Sequence, residues 1–277
     1  MSLLWRDRLL ISLAPGELSW VRLSGLLKPE VRARNSLPFD HAYGAHNWDG
    51  AVAALRSQVP RWEQDKLTVR LVLSNHFVRY VLVPHSDSIS GHDEEMALAR
   101  FHFTKVHGDA SRDWDMRLSP GKSSGTRMAC AVNATLVDAI RQSFPSNTRL
   151  RLASIQPLLM SVFNSGNTAI PSTGAWLVVV EPDRACVALI TGMTWRTVQN
   201  IKGQFGDTDA WIDLVERERW RVNLDTVPDT ILIHSPKSPV PASRTHGAWK
   251  IAGLQTYWPA GLSPASDGAY GRALSAA

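Results

Sequence analysis

LLISLAPGELSWVRL (Leu9–Leu23) and WLVVVEPDRACVALI (Trp176–Ile190) read as the same device used twice. Each has an apolar run, a turn led by proline at Pro15 or Pro182, and a second run in which apolar and polar residues mix. That pattern predicts two antiparallel strands joined by a tight turn. The sequel matches as well. After the first hairpin come an apolar segment (Val31–Leu37), a helical stretch (Trp48–Val59) and a strand (Leu67–Leu73). After the second come Thr194–Ile201, a helical stretch (Thr208–Trp220) and a strand (Thr230–His234). Three strands, a helix and a strand in the same order twice predict a duplicated α/β architecture, whose natural binding site is a cleft between the halves.

Composition suits such a body. A length of 277 residues with 44% hydrophobic side chains supports a sizeable core. No apolar run reaches the length of a membrane span, and the amino-terminal MSLLWRDRLLISL interrupts its apolar stretch with charges and lacks a small-residue cleavage site, so a cytoplasmic location is expected. Cys130 and Cys186 lie in strand-like apolar surroundings and read as buried thiols. The formal charge of +5 is spread along the chain, which argues against nucleic-acid binding.

Between the halves lies a different segment, Phe77 to Asn164. Ser90 reads as the N-cap of a helix with Met96, Ala99, Phe103 and Val106 toward one side, and Gly108 stops it. Trp114, Met116 and Leu118 alternate with Asp115 and Arg117 as in a half-buried strand, a Pro120–Gly125 turn follows, and Arg127–Val132 is the next strand. A helix with Leu136, Ile140 and Phe144, a strand (Leu150–Ile155) and a short helix after Pro157 complete what reads as a small layered module inserted into the first half.

The stretch ACAVNATLVDAIRQSF followed by RLRLASIQPLLMSVFN resembles the inserted module of the PilM and GspL proteins of pilus assembly and type II secretion, which are actin-like and related to FtsA. The tail SDGAYGRALSAA (Ser266–Ala277) looks like the last helix of that fold, packed against the second half. The resemblance implies an α/β protein of duplicated actin-like, ribonuclease H-like halves with a small inserted α+β module, bilobed. The expected divisions are 1–76 for the first half, 77–165 for the module and 166–277 for the second half with its C-terminal helix. Pro236, Pro239, Pro241, Pro259 and Pro264 suggest that the second half is abbreviated.

In actin-like ATPases the first strand of each hairpin ends in an aspartate that holds a hydrated metal ion, and small residues after it cradle phosphate with backbone N–H groups. Here those places hold Ala14-Pro15-Gly16 and Glu181-Pro182-Asp183. Alanine holds no metal water, and each proline removes a donor. The strand that usually precedes a glycine-rich adenosine loop ends in Ile233-His234-Ser235-Pro236. Ala14, Pro15, Gly16, Glu181, Pro182, Asp183, His234 and Ser235 therefore read as a degenerate nucleotide pocket. No catalytic residue, metal or cofactor is expected; the alternative is a nucleotide-binding actin-like ATPase or kinase with unusual turns that takes ATP with Mg.

Other chemical-looking features weaken on inspection. Gly121-Lys122-Ser123 imitates a phosphate loop, but Met116 stands where its first glycine belongs, and the segment joins two strands. His92, Asp93, Glu94, Glu95, His102 and His107 supply metal-type side chains; on a helix Glu95, Ala99 and His102 share a face, yet His92 and His102 do not, so three ligands do not converge. Eleven tryptophans are many; Trp5, Trp48, Trp62, Trp114 and Trp220 adjoin polar residues and either close core edges or sit at interfaces. In the 208–220 helix Trp211, Leu214, Val215 and Glu218 share one face, as in a core-packing helix with a charged back.

The resulting expectation is a non-catalytic scaffold for type IV pilus or type II secretion assembly. The resemblance implies a PilN-like inner-membrane partner whose cytoplasmic peptide lies between the first half and the module, lined by Leu71, Val72, Val81, Leu136 and Ile140. Membrane contact would run only through that partner, and self-association is left open.

Overall fold

The computed structural model describes residues 7–25, 28–40, 44, 46–86, 88–89, 91–119, 125–222, 224, 227–236, 240, 243–254 and 257–277. Trp5, Ser90, the Gly121-Lys122-Ser123 turn, Pro239 and Pro241 lie outside them. The chain forms two compact units, one drawn from Met1–Phe77, Thr135–Gly166 and Thr256–Ala277, the other from Val78–Ala134 and Asn167–Gln255.

The first unit begins with β1 (Asp7–Ala14), β2 (Glu17–Ser24), β3 (Glu30–Pro38), α1 (Asp49–Gln58) and β4 (Leu67–Leu73). The chain then enters the second unit with β5 (Val78–Val83), α2 (His92–His107), β6 (Trp114–Leu118) and β7 (Arg127–Asn133). It returns through α3 (Ala134–Gln142), β8 (Arg151–Pro157) and α4 (Leu158–Gly166). The first sheet has the order β3-β2-β1-β4-β8. β1 pairs antiparallel with β2 and parallel with β4, and β4 is parallel to β8, with Leu13 opposite Leu73 and Leu71 opposite Ile155. A central strand covered on both faces must be apolar almost throughout, which is why Leu9, Leu10, Ile11 and Leu13 are all fully buried. Trp20 meets Trp62 edge to face at 5.4 Å between ring centres. Asp49 in the first turn of α1 and Arg56 in its last suit the helix dipole.

The second sheet repeats this plan. β9 (Ala175–Glu181), β10 (Arg184–Thr191), β11 (Thr194–Lys202), α5 (Thr208–Arg219) and β12 (Thr230–His234) precede β13 (Arg244–His246) and β14 (Trp249–Gly253), in the order β11-β10-β9-β12-β14-β13. β9 is antiparallel to β10 and parallel to β12, and β12 is parallel to β14. The two sheets thus correspond strand for strand, with β13 added at one edge. The Asp207 side chain caps α5 by accepting from the Ala210 N–H at 2.9 Å. Its inward face, Trp211, Leu214 and Val215, packs with Trp176, Val178, Val187, Ile231, Ile233 and Ile251, as its apolar spacing predicts.

The inserted module is smaller than the sequence suggested. Its sheet has the order β5-β7-β6, and Ala99 and Phe103 of α2 pack with Val81, Val83, Met116, Ala129 and Ala131. Gly91 stands at the N-cap of α2, and Gly108, at φ 60°, ends it. The 77–165 division is corrected at its far end: β8 is the fifth strand of the first sheet, and α3 and α4 belong to the first unit. A short apolar strand after a helix looks the same whether its partner is local or distant. By compactness the module groups with the second sheet; the Asn200 side chain on β11 donates to the Val78 carbonyl on β5 at 3.1 Å.

The tail is corrected too. α6 (Pro264–Asp267) and α7 (Gly271–Leu274) lie in the first unit, with α7 against β1, β2 and β4. Arg34 on β3 pairs with Asp267 at 2.7 Å and lies over the Tyr270 ring, and Arg70 on β4 donates to the Ala276 carbonyl at 2.8 Å. Three guanidinium groups, counting Arg272 below, select this docking, and none of them leaves a mark in the apolar pattern.

Candidate functional site

Both proline-led turns are two-residue hairpins in the same register. Ala14 pairs with Glu17 and Glu181 with Arg184. Proline holds the first turn residue near its fixed negative φ, so the second must turn back through positive φ; Gly16 does so at 76° and Asp183 at 52°. The third strand then closes each turn alike: Phe39 N–H donates to the Gly16 carbonyl and Gly203 N–H to the Asp183 carbonyl, both at 3.0 Å. A turn of this build has one N–H within its two residues, whereas a phosphate cradle uses several in succession.

The surroundings of the first turn are committed to structure. Ala14 is buried. Glu17, the first residue of β2, accepts from the Ser36 hydroxyl at 2.9 Å and pairs with Arg272 of α7, whose guanidinium also donates to the Ser12 hydroxyl at 3.2 Å. Arg272 is 3% exposed and Glu17 16%. At the end of β4, Ser74 N–H donates to the Leu13 carbonyl at 2.9 Å, its hydroxyl lies 2.8 Å from His76 Nδ1, and the Asn75 side chain accepts from the Leu159 N–H at 3.3 Å. Arg272, Ser74 and Asn75 escaped the sequence reading because single polar residues outside an apolar period carry no local signal.

In the second unit Glu181 and His234 are buried and Ser235 is half-buried. Arg184, one step past the turn, donates to Asn200 Oδ1 at 3.1 Å. Burial pushes the Cys186 thiol up, and the nearby Glu181 carboxylate pushes it further. Cys130 on β7 is pushed up to about 11, by burial first and then by Asp115. Both thiols are free. Among the described residues no group of His, Cys, Asp and Glu side chains is placed to hold a metal. Glu95 pairs with Arg127, and His107 packs against Phe103 and Trp114.

The residues expected to line the partner groove do not do so. Leu71, Val72, Leu136 and Ile140 are buried in the first unit and Val81 in the core of the module. Apolar periodicity picks out the side of an element that faces the core, and a docking face is the other side. α3 itself does border a groove. Its outer residues Thr135, Asp138, Ala139 and Gln142 face Trp48, Val52, Ala53 and Arg56 of the α1 region across about 840 Å³. Of the tryptophans singled out, Trp48 and Trp62 are buried and Trp114 is half-buried, but Trp220 is 87% exposed.

No helix of the described residues is long and apolar enough to cross a membrane. No family model matches the sequence, and no curated protein matches it. Solved structures do match. The cytoplasmic domain of EpsL, an inner-membrane component of the type II secretion system of Vibrio cholerae, aligns with 96% of this chain and 92% of its own at TM-score 0.54 and 12% identity. A PilM–PilN type IV pilus biogenesis complex aligns with 82% of this chain and 80% of the matched one at TM-score 0.57 and 14% identity. A Bacteroides thetaiotaomicron protein with an actin-like ATPase fold and unknown function aligns over 85% of both chains at TM-score 0.56 and 9% identity. With its two corresponding sheets, each three antiparallel strands extended by parallel ones, the chain has the actin-like fold.

Proposed function

We propose that the protein is a non-catalytic scaffold in the assembly of a type IV pilus or type II secretion apparatus, working on the cytoplasmic side of the inner membrane. The reading is carried by the pair of proline-led turns: the same two-residue turn, poor in N–H donors, stands in both halves of a fold whose ATPases bind phosphate there. The likeness to EpsL and to a PilM–PilN complex supports the choice of apparatus. The partner is an inner-membrane protein of the PilN kind, and its cytoplasmic peptide sits in the groove between α1 and α3. Exposed polar and small residues line both walls there, and about 840 Å³ takes several side chains. No nucleotide, metal or other cofactor takes part.

Calorimetry with Mg-ATP tests the first half of this reading and should show no specific heat. Copurification with the inner-membrane components of the apparatus tests the second, and the exposed Ala53→Arg change in the groove wall should abolish it while leaving the circular dichroism spectrum unaltered. The rival reading, an ATPase or kinase on this fold, draws on the Glu181 and Asp183 carboxylates. ATP turnover by the wild type that Glu181→Gln removes would replace the scaffold with that enzyme. Undiminished copurification of Ala53→Arg would move the peptide out of this groove.

A further inference from the structure

Trp220 follows α5 with 87% of its surface in solvent, and its neighbours explain why it stays there. Val222 and Leu224 pack back against the core of the second unit, so the chain is pinned on both sides of the indole. Beside it in the chain stand three exposed arginines, Arg217, Arg219 and Arg221, with the exposed Asp213 two turns back on the same helix. Arg217 and Arg221 reach over Glu218, whose own carboxylate is fully buried, at 3.5 and 3.1 Å. Arg219 lies over the Trp249 ring, and Glu216 beneath is bonded to the Trp249 N–H. On the neighbouring edge strand β13 the exposed Arg244 pairs with Ile251, so by register it lies on the sheet face on which α5 packs. The helix dipole accounts for arginines at a helix C-terminus. It does not account for the largest apolar side chain being held out among them.

We infer that this face is a direct contact for an anionic lipid surface, which goes beyond recruitment through a partner peptide. A single exposed indole with arginines on either side of it in the chain matches the layering of a membrane interface, where the ring settles at headgroup depth and the cations meet phosphates. A protein hot spot needs its aromatic surrounded by close-packed contacts that exclude water, and the surroundings here are charged. Single-stranded nucleic acid stacks successive bases on successive aromatics, and this face offers one.

Co-sedimentation of the full chain with vesicles tests the assignment without any protein partner. Equimolar phosphatidylcholine and phosphatidylglycerol should bind it and phosphatidylcholine alone should not, with binding falling as salt rises. Trp220→Ser should weaken binding on the order of tenfold through lost apolar burial, and Arg244→Gln about fivefold through one lost charge. Both positions are exposed, so melting temperatures should not change. Brominated lipid should quench part of the wild-type fluorescence, and that part should vanish in Trp220→Ser. The inference is overturned by absent binding to the anionic vesicles, by undiminished binding of both variants, or by quenching that single-stranded RNA causes and vesicles do not.

Discussion

Replacing Arg272 by methionine removes the cation that ties the C-terminal segment to the first hairpin. The guanidinium and its Glu17 partner are 3% and 16% exposed, so the pair is well withdrawn from water. Taking away one member of such a pair leaves a carboxylate short of compensation, which costs about 3–5 kcal/mol. The Ser36 hydroxyl still bonds Glu17, which moderates the loss, and the buried Ser12 hydroxyl loses its Arg272 donor, which adds about 1 kcal/mol. The expected total is about 3 kcal/mol, which lowers a urea midpoint by about 1 M or more at slopes of about 1–3 kcal/mol/M. Urea unfolding by circular dichroism measures it, with hydrogen exchange in β1 and β2 assigning the transition to the first unit. Glu17→Gln combined with Arg272→Met should recover more than half the loss, because no uncompensated charge is then left. A cost below about 1 kcal/mol, the range of an exposed ion pair, refutes the buried tether.

Leu136→Asp and Val72→Asp place a charge where side chains are 1% and 0% exposed and should cost more than about 4 kcal/mol; a folded spectrum at 25 °C in either variant would contradict their placement. Met193 sits at φ 60° beside Gly192 at 55° in the β10–β11 turn and is 54% exposed. Met193→Gly should therefore stabilise the protein by about 1 kcal/mol in thermal or urea unfolding, and a loss of stability would show that its side chain makes contacts of value. The Asp267 carboxyl is held below its ordinary value by the Ser263 backbone N–H, the Ser266 hydroxyl and Arg34. A depressed folded-state value means that its stabilisation is present in full above about pH 4 and fades as pH falls below that. The stability gap between wild type and Asp267→Asn should be flat at neutral pH and close on acidification; a gap independent of pH would mean that the charge contributes nothing.

Each element that could be read from the sequence has a cause confined to a few neighbouring residues. β4 and β12 have the expected ends because their apolar runs stop at turn residues, and the inward face of α5 follows its 3.6-residue period. The duplication was legible for the same reason, since a proline-led turn between two strands is a local event. The proline-led turns lie between the strands that the sequence puts on either side of them, whereas Leu71, Val72, Leu136 and Ile140 lie in the core. Periodicity reports burial, so it selected Leu136 and Ile140 on the covered side of α3 and passed over Thr135, Asp138 and Gln142, which face the groove.

What the sequence by itself determined is therefore the inventory of elements and the repeated order in which the two halves arrange them, because propensity, period and turn chemistry act within one element. Which distant segments come together was decided only by tertiary structure. β8 joins β4 across the whole inserted module, and the tail docks on β1, β2 and β4 through Arg272, Arg34 and Arg70. An edge strand can complete either of two sheets with the same backbone hydrogen bonds, and an arginine can meet any carboxylate or carbonyl within reach. The choice rests on which pairing also fills the core and satisfies every buried charge, and that condition involves residues from opposite ends of the chain.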